Sequence, residues 1–569
     1  LMPSRGFQSS VDYVLTFGLG GLDRVDSLTV EWPDGRASVQ HDVGADQRIV
    51  VRQADAGDRL PAPPLPAATL FADVTAGTPL DFEHRENAFV DFDRERLMPK
   101  LLSTEGPYMA AADVNGDGLS DVFIGGAKDQ AGRLLLQTRD GRFVDGSAAA
   151  FRQDSASEDL GAVFFDATGN GAPDLYVVSG GSEFSDLAPA LQDRLYLNDG
   201  RGNFSKADGH LPPMNISGAR VTVLDFDGDG HLDLFVGGRV VPGRYGIDPP
   251  SVLLRNDGRG RFTDVTEQVA PGLARVGMVT DAVWTDVDGD GRPDLVVVGE
   301  WMPVTVFRNI GAGRLERMDV PGLEQSHGWW NRIVAGDFTG DGRTDFIIGN
   351  LGLNTRLQAS ADEPVTMHVK DFGRTGFVQQ ILAQYTKGDS YPIVMRDDLI
   401  KSITFLKTRY LNFAAYAQER VTDVFPEDVL ADAVVREART FATVLARNDG
   451  DGSFTLVPLP HEAQIAPVYG ILAGDFDGDG HTDVLLAGNF DGVKPELGRM
   501  SASYGLLLRG DGGGGFTPVP AATSGFFVPG QARDIQRLRT RSGDLFVVAR
   551  NNDRPLIFTA RRALAGEAP

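Results

Sequence analysis

The chain has 569 residues, too many for one ordinary core, so several domains or one large repeat architecture are expected. Its formal charge of -25 repels a phosphate backbone, and with no basic stripe to override this, nucleic acid is excluded as a partner. Cysteine is absent, which removes disulfides, thiol nucleophiles and zinc–thiolate sites, and no stretch approaches the roughly 20 apolar residues of a membrane span.

Residues 1–20 lack the basic start and apolar core of a signal peptide, and the chain opens in mid-pattern, as expected of a processed or partial product. Residues 1–56 read as a separate β-rich unit, with strand-like SVDYVLTFGLG from Ser10, DSLTVEW from Asp26 and QRIVVRQ from Gln47 around the turn Pro33-Asp34-Gly35. Residues 57–69, beginning GDRLPAPPLPAA, read as a proline-stiffened linker.

Residues 70–560 are dominated by a nine-residue loop that occurs six times: DVNGDGLSD, DATGNGAPD, DFDGDGHLD, DVDGDGRPD, DFTGDGRTD and DFDGDGHTD. Side-chain oxygens at positions 1, 3, 5 and 9, with the carbonyl of position 7, form a hard oxygen cage suited to Ca²⁺. The implied ligands are Asp113, Asn115, Asp117, Leu119 and Asp121 in the first loop, and Asp166, Thr168, Asn170, Ala172 and Asp174 in the second. Asp225, Asp227, Asp229, His231 and Asp233 follow, then Asp286, Asp288, Asp290, Arg292 and Asp294. The last two sets are Asp337, Thr339, Asp341, Arg343 and Asp345, and Asp475, Asp477, Asp479, His481 and Asp483. His231 and His481 would serve only through their carbonyls and face solvent. Asp-Gly turns occur without metal, but twenty acids in six such loops repel one another unless a cation neutralises them. Up to six Ca²⁺ are therefore expected, with full cages at Asp225, Asp286 and Asp475 and the poorest at Asp166.

Each loop lies between two short apolar β runs, as in LFVGG from Leu234, rather than entering a helix. A third strand, a Gly-rich turn and a fourth strand follow, as in VLLRNDGRGRF from Val252. Four strands at intervals of 53, 59, 61 and 51 residues describe a propeller blade. The next interval, 138 residues, holds one blade and an insertion at about 351–439, between the second and third strands of blade five. Apolar spacing from Asp398 to Val421 predicts helix there. The C-terminal repeat supplies three strands without metal ligands, and LFADVT from Leu70 is expected to return as its fourth. The fold class predicted is thus all-β: a seven-bladed β-propeller of four-stranded blades, with a helical insertion in blade five and a small β domain before it.

These repeats resemble FG-GAP or VCBS repeats, as in integrin α-subunit propellers, and FGLGGLDRVDSLTVEWPDGR from Phe17 resembles the ASPIC and UnbV module of cartilage-acidic-protein-like chains. In that family the module usually follows a propeller, so its place here suggests one upstream. The residues FEHRENAFVDF before blade one and HEAQIAPVYG after the insertion also resemble large bacterial surface members of the group. The resemblance implies an extracellular or cell-surface, calcium-dependent adhesion or recognition platform with a protein or glycan partner.

Propellers bind ligands in the central mouth, and His327, Trp329, Trp330 and Asn331, with Asn350 and Asn354 nearby, suit stacking on a sugar ring. The competing reading is that the tryptophans cap the core and hold the insertion. His84, Glu86 and Asp91 could form an acid–base cluster but match no catalytic motif, and no catalytic residue is assigned. Arg509-Gly510-Asp511 spells an integrin-binding tripeptide at a position where turn chemistry explains it fully. The chain is therefore expected to be a non-enzymatic recognition protein. The alternatives are a subunit that self-associates into a head-to-tail filament, and a carbohydrate-active enzyme.

Overall fold

The computed structural model describes residues 4–6, 9, 10, 12, 14–57, 69–78 and 80–561, so the linker expected at 57–69 falls almost wholly outside the described residues. The chain forms two compact units, Leu1–Ala67 and Ala68–Pro569.

In the first unit, Arg24–Glu31 and Ala37–Gly44 pair as an antiparallel hairpin, with Trp32 Nε1 donating to Ser38 Oγ across the turn. Of the segments expected as strands at 10–20 and 47–53, only Ser10 is in a strand among the described residues, in the short pairing of Ser9–Ser10 with Ser4–Gly6. A strand needs a neighbouring edge, and the hairpin's sheet stops at two; Ala37 is the one buried apolar residue described in the unit.

Among the described residues the second unit contains eight antiparallel four-stranded sheets: one inside the insertion and seven in succession along the chain, of which one carries the additional short strand Gly328–Trp329. The first strands of the seven are Met109–Ala112, Glu158–Phe165, Ser217–Leu224, Met278–Thr285, Arg332–Gly336, Val468–Gly474 and Gln531–Thr540. Each lies against the first strand of the next sheet, and the seventh lies back against the first. The seventh sheet is completed by Phe71–Asp73, which pairs with Leu556–Ala560, as LFADVT led us to expect.

The second strands read as continuous apolar runs because both of their faces are covered. Apolar side chains fill the gap between each successive pair of sheets: Phe235 packs with Leu295 between the third and fourth, and Val547 with Val122 between the seventh and first. The Gly pairs ending these strands admit the neighbour, since a Cβ at Gly237 would lie 2.4 Å from Val279 Cγ1.

The insertion departs from a helical reading. It enters between Asp345–Gly349 and Val444–Asn448, the second and third strands of the fifth sheet, and contains its own four-stranded antiparallel sheet. That sheet runs Asp389–Pro392, Gln379–Thr386, Val365–Lys370, Val434–Ala438. Val365, Met367 and Val369 alternate into the core, which is strand periodicity. The helix predicted from Asp398 is limited to Arg396–Ser402 and a single 3-10 turn at Thr404–Lys407. The β-branched pair Ile403-Thr404 interrupts it, with Ile403 at φ -120°.

Candidate metal centres

Each acidic loop is folded in the same way. Its first aspartate closes on its own turn: Asp225 Oδ1 accepts from Gly228 N at 2.8 Å and Asp229 N at 3.1 Å, and Oδ2 from Gly230 N at 2.9 Å. Gly228 and Gly230 have φ of 78° and 87°, which a side chain would disfavour.

The ninth position is deeper. Asp233 is 1% exposed; its Oδ1 accepts from Asn256 N at 2.8 Å and its Oδ2 from Phe226 N at 3.3 Å. The same pair of bonds recurs at Asp121, Asp174, Asp294, Asp345 and Asp483. Burial pushes the carboxyl of Asp121 up to about 6 and that of Asp233 to about 7. The residue expected as a closing ligand is therefore also the knot that joins loop to third strand.

Carboxylate oxygens converge within 4.8 Å of one another in three loops: Asp225, Asp227 and Asp229; Asp286, Asp288 and Asp290; Asp475, Asp477 and Asp483. Such a donor set, oxygen only and rich in charge, fits a hard divalent cation. The other loops spend donors locally. Asn115 turns its amide toward Asp121 Oδ2 at 3.4 Å, and Thr339 Oγ1 donates to Asp345 Oδ2 at 3.0 Å. In the Asp166 loop the amide of Asn170 replaces the carboxylate of position 5, its Oδ1 accepting from Ala172 N as Asp229 Oδ1 does from His231 N.

Two features escaped the sequence reading. Position 3 is clamped by an arginine wherever it is an aspartate: Arg255 to Asp227 at 2.7 Å, Arg308 to Asp288 at 2.5 Å and Arg509 to Asp477 at 2.6 Å. Where position 3 is Asn115, Thr168 or Thr339, the matching third-strand residue is Leu136, Leu197 or Arg447, and Arg447 pairs with Asp449. That covariation between repeats was the available signal. Secondly, the side chains of His231 and His481 do not simply face solvent. A Cβ at Gly258 or Gly512 would lie 2.4 or 2.2 Å from their rings, so each ring covers the glycine of its own sheet's turn.

The third-strand asparagines link neighbours. Asn198 Nδ2 donates to Val114 O at 2.8 Å, Asn256 Nδ2 to Ala167 O at 2.9 Å and Asn309 Nδ2 to Phe226 O at 3.1 Å. Each acceptor is position 2 of the preceding sheet's loop, so the loops are locked sheet to sheet.

The expected sugar platform is core. Trp329 and Trp330 are 1% and 0% exposed, Trp329 lying edge-on to Trp301 with ring centres 5.0 Å apart and Trp330 Nε1 donating to Ser326 O. Asn331 and Asn350 are buried, and Asn350 bonds Trp329 N and the carbonyls of Thr440 and Ala442. His327 is half-buried and its carbonyl accepts from Arg439 N and Thr440 N. Asn354 bonds Ile465 O. These residues anchor the insertion, because rings of this size gain most from burial between sheets.

At the end of the sheets opposite the loops, residues 84–106 cross the strand starts. Arg239 grips Glu105 with two bonds of 2.6 and 2.8 Å, Lys100 pairs with Glu300, and Arg94 donates to the carbonyls of Ser182, Phe184 and Pro242. The cavity left beneath, lined by Glu105, Tyr108, Arg239, Thr280 and Tyr469 among others, has about 10 Å³, too little for a sugar. Side chains of residues 84–106 thus occupy this end of the sheets.

His84 Nδ1 lies 4.0 Å from Glu86 Oε1, whereas Asp91 is held apart by Ser103 and Ser182. Burial lowers His84 to about 3 and raises Glu86 to about 8, so the histidine is neutral. Arg509 is tied to Asp477, and Asp511 accepts from Gly513 N and Gly515 N, so both charges of the Arg-Gly-Asp tripeptide serve their own hairpin.

Residues 1–58 match the model of the ASPIC and UnbV family, and residues 113–177, 182–236, 245–297, 286–348 and 428–486 match that of the FG-GAP-like repeat. No curated protein matches the chain. Among solved structures, similarity is found to the V. cholerae biofilm matrix protein Bap1, at 11% identity over 85% of this chain and 91% of that one, with a TM-score of 0.33. BBS1N in complex with ARL6DN gives 11% identity over 85% and 97%, with a TM-score of 0.36. Saccharomyces cerevisiae Sqt1 gives 9% over 82% and 98%, with a TM-score of 0.38.

Proposed function

The chain is an FG-GAP-like repeat protein that carries an ASPIC and UnbV module, and on that footing we propose that it is an extracellular, calcium-stabilised recognition platform without enzymatic activity of its own. The seven sheets are the blades of one propeller; the cyclic succession of first strands supports this. FG-GAP-like repeats are typical of extracellular proteins, and no helix among the described residues is long and apolar enough to cross a membrane. With the end opposite the loops occupied by residues 84–106, the surface left for a protein or glycan partner is the outer one: loops, blade edges and the insertion.

The observation that carries the reading is the convergence of three carboxylate oxygens within 4.8 Å in each of three loops. Ca²⁺ there cancels repulsion among the acids and stiffens position 2, where Phe226 and Val287 accept from Asn309 and Asn448 of the neighbouring sheets. Calcium is then the fastening of the scaffold rather than its activity. Thermal unfolding with and without chelator tests this: an ion bound to the folded form alone adds about 2.7 kcal/mol per site at a hundredfold excess over Kd. An unchanged transition in chelator overturns it.

A second reading, self-association into a filament, is favoured by the first unit, where Val14, Leu15, Phe17, Leu22 and Val50 are exposed. Sedimentation over a range of concentrations tests it, a strictly monomeric boundary being the contrary result.

A further inference from the structure

The loop-bearing ends of the strands do not hold all of the uncompensated acid. Glu158 opens the first strand of the second sheet, seven residues from Phe165 at the loop end, or about 23 Å at 3.3 Å per residue. Its side chain is 0% exposed and neither carboxylate oxygen has a hydrogen-bond partner. Glu183 Oε2 and Glu86 Oε2 are buried and unpartnered as well.

The Glu158 and Glu183 oxygens face one another across Gly181. A Cβ there would lie 2.4 Å from Glu158 Oε2 and 2.5 Å from Glu183 Oε2, so both point into the space that the missing side chain leaves open. The other oxygens of the flanking acids are fixed from outside: Asn87 Nδ2 donates to Glu183 Oε1 at 3.0 Å and Asn551 Nδ2 to Glu86 Oε1 at 2.6 Å. The Asn87 bond leaves Glu183 Oε2 free to face Glu158. Among the described residues no Lys or Arg pairs with Glu158 or Glu183, and nearby Arg94 is engaged by three carbonyls. A buried carboxylate without partner or counter-charge is strongly unfavourable, so something neutralises this group.

We propose that Glu158 and Glu183 form, across Gly181, a buried site for a hard divalent cation of the calcium or magnesium class, separate from the six loops. A single proton shared by Glu158 and Glu183 would satisfy one oxygen of each and leave the second Glu158 oxygen bare; a cation held between the two carboxylates serves both Glu158 oxygens. Because Glu158 opens the first strand of the second sheet, and Glu183 follows its second strand, Asp174–Gly180, and takes a bond from Asn87, the ion fastens residues 84–106 to that sheet.

The test is metal content by mass spectrometry on the whole chain, equilibrated with Ca²⁺ and freed of loose ions, for the wild type and Glu158→Gln with Glu183→Gln. The expected result is one ion fewer per chain in the variant. Equal content overturns the site, makes the pair proton-bridged, and leaves the calcium loops untouched. A wild type holding a single ion that the variant loses would uphold this site and sink the loops instead. Should the variant fail to fold, wild-type crystals soaked in Mn²⁺ decide: an anomalous peak between Glu158 and Glu183 supports the site, and its absence overturns it.

Discussion

The side-chain amide of Asn256 donates to the carbonyl oxygen of Ala167 at 2.9 Å, joining the third sheet to the loop of the second across 89 residues of chain. The same amide reaches Leu232 O, and Asn256 Oδ1 receives Gly258 N. Asn256→Ala strands all three groups, and leaving buried polar groups unpaired costs about 1–3 kcal/mol each. A clear drop in the urea midpoint followed by tryptophan fluorescence is expected; a midpoint equal to wild type would contradict the staple.

Trp329→Ala empties a core site beside Trp301 and Phe441. Loss of a buried aromatic costs about 3–5 kcal/mol. The expected outcome is a large fall in melting temperature, with binding on a glycan array unchanged at temperatures where the variant stays folded. Selective loss of glycan binding without a change in melting would restore the sugar-stacking role.

The pairing of Arg239 with Glu105 is buried and bidentate, and breaking it from one side leaves Arg239 with Glu300 at 3.0 Å, a cost below the about 3–5 kcal/mol of a fully stranded buried charge. Glu105→Gln should expose residues 84–106 to limited proteolysis while the sheets resist. Cleavage at the wild-type rate would show that the segment is held by other contacts.

Stability should fall as pH rises. Burial holds the Glu95 and Asp193 carboxyls up at about 7, above ordinary values of 4.5 and 3.8, so the folded chain keeps protons that the unfolded chain has released. Their contribution is complete below about pH 4 and disappears as pH climbs through about 7, at about 1.4 kcal/mol per pH unit for each group. In chelator, the melting temperature is expected to decline from pH 5 to 8, and Glu95→Gln with Asp193→Asn should flatten the profile. A slope that survives both substitutions assigns it elsewhere.

Asp511→Ala removes an acceptor of two turn amides. It should loosen that hairpin in amide exchange and leave attachment of integrin-bearing cells where it was. Attachment abolished by this change would revive the adhesive tripeptide.

The repeat was legible because each loop carries its chemistry within nine residues, and the hairpins around it follow from apolar runs of strand length. The closing strand could be read from the likeness of LFADVT to FTDVT. What remained hidden involves partners far apart in sequence. Nothing near Asn256 announces Ala167, and Glu105 and Arg239 are separated by 134 residues. The insertion misled for a local reason: Leu399, Ile403, Leu406 and Tyr410 have helical spacing and are all buried, but turns as well as helix deliver them to the core. The tryptophans left two readings open because an amphipathic ring is suited both to a binding surface and to a core, and only burial separates the two.

The pairing of Phe71–Asp73 with Leu556–Ala560 sets a condition on biosynthesis. A strand made near the start waits for one made about 480 residues later, on the order of a minute of translation at typical speeds. Until then the nascent chain has an open sheet edge and a substrate for proteases and chaperones. Completeness is thereby inspected by the fold itself: a chain cut short before Leu556 lacks the strand that seals its last sheet, and surveillance in the cell can discard it without a dedicated signal.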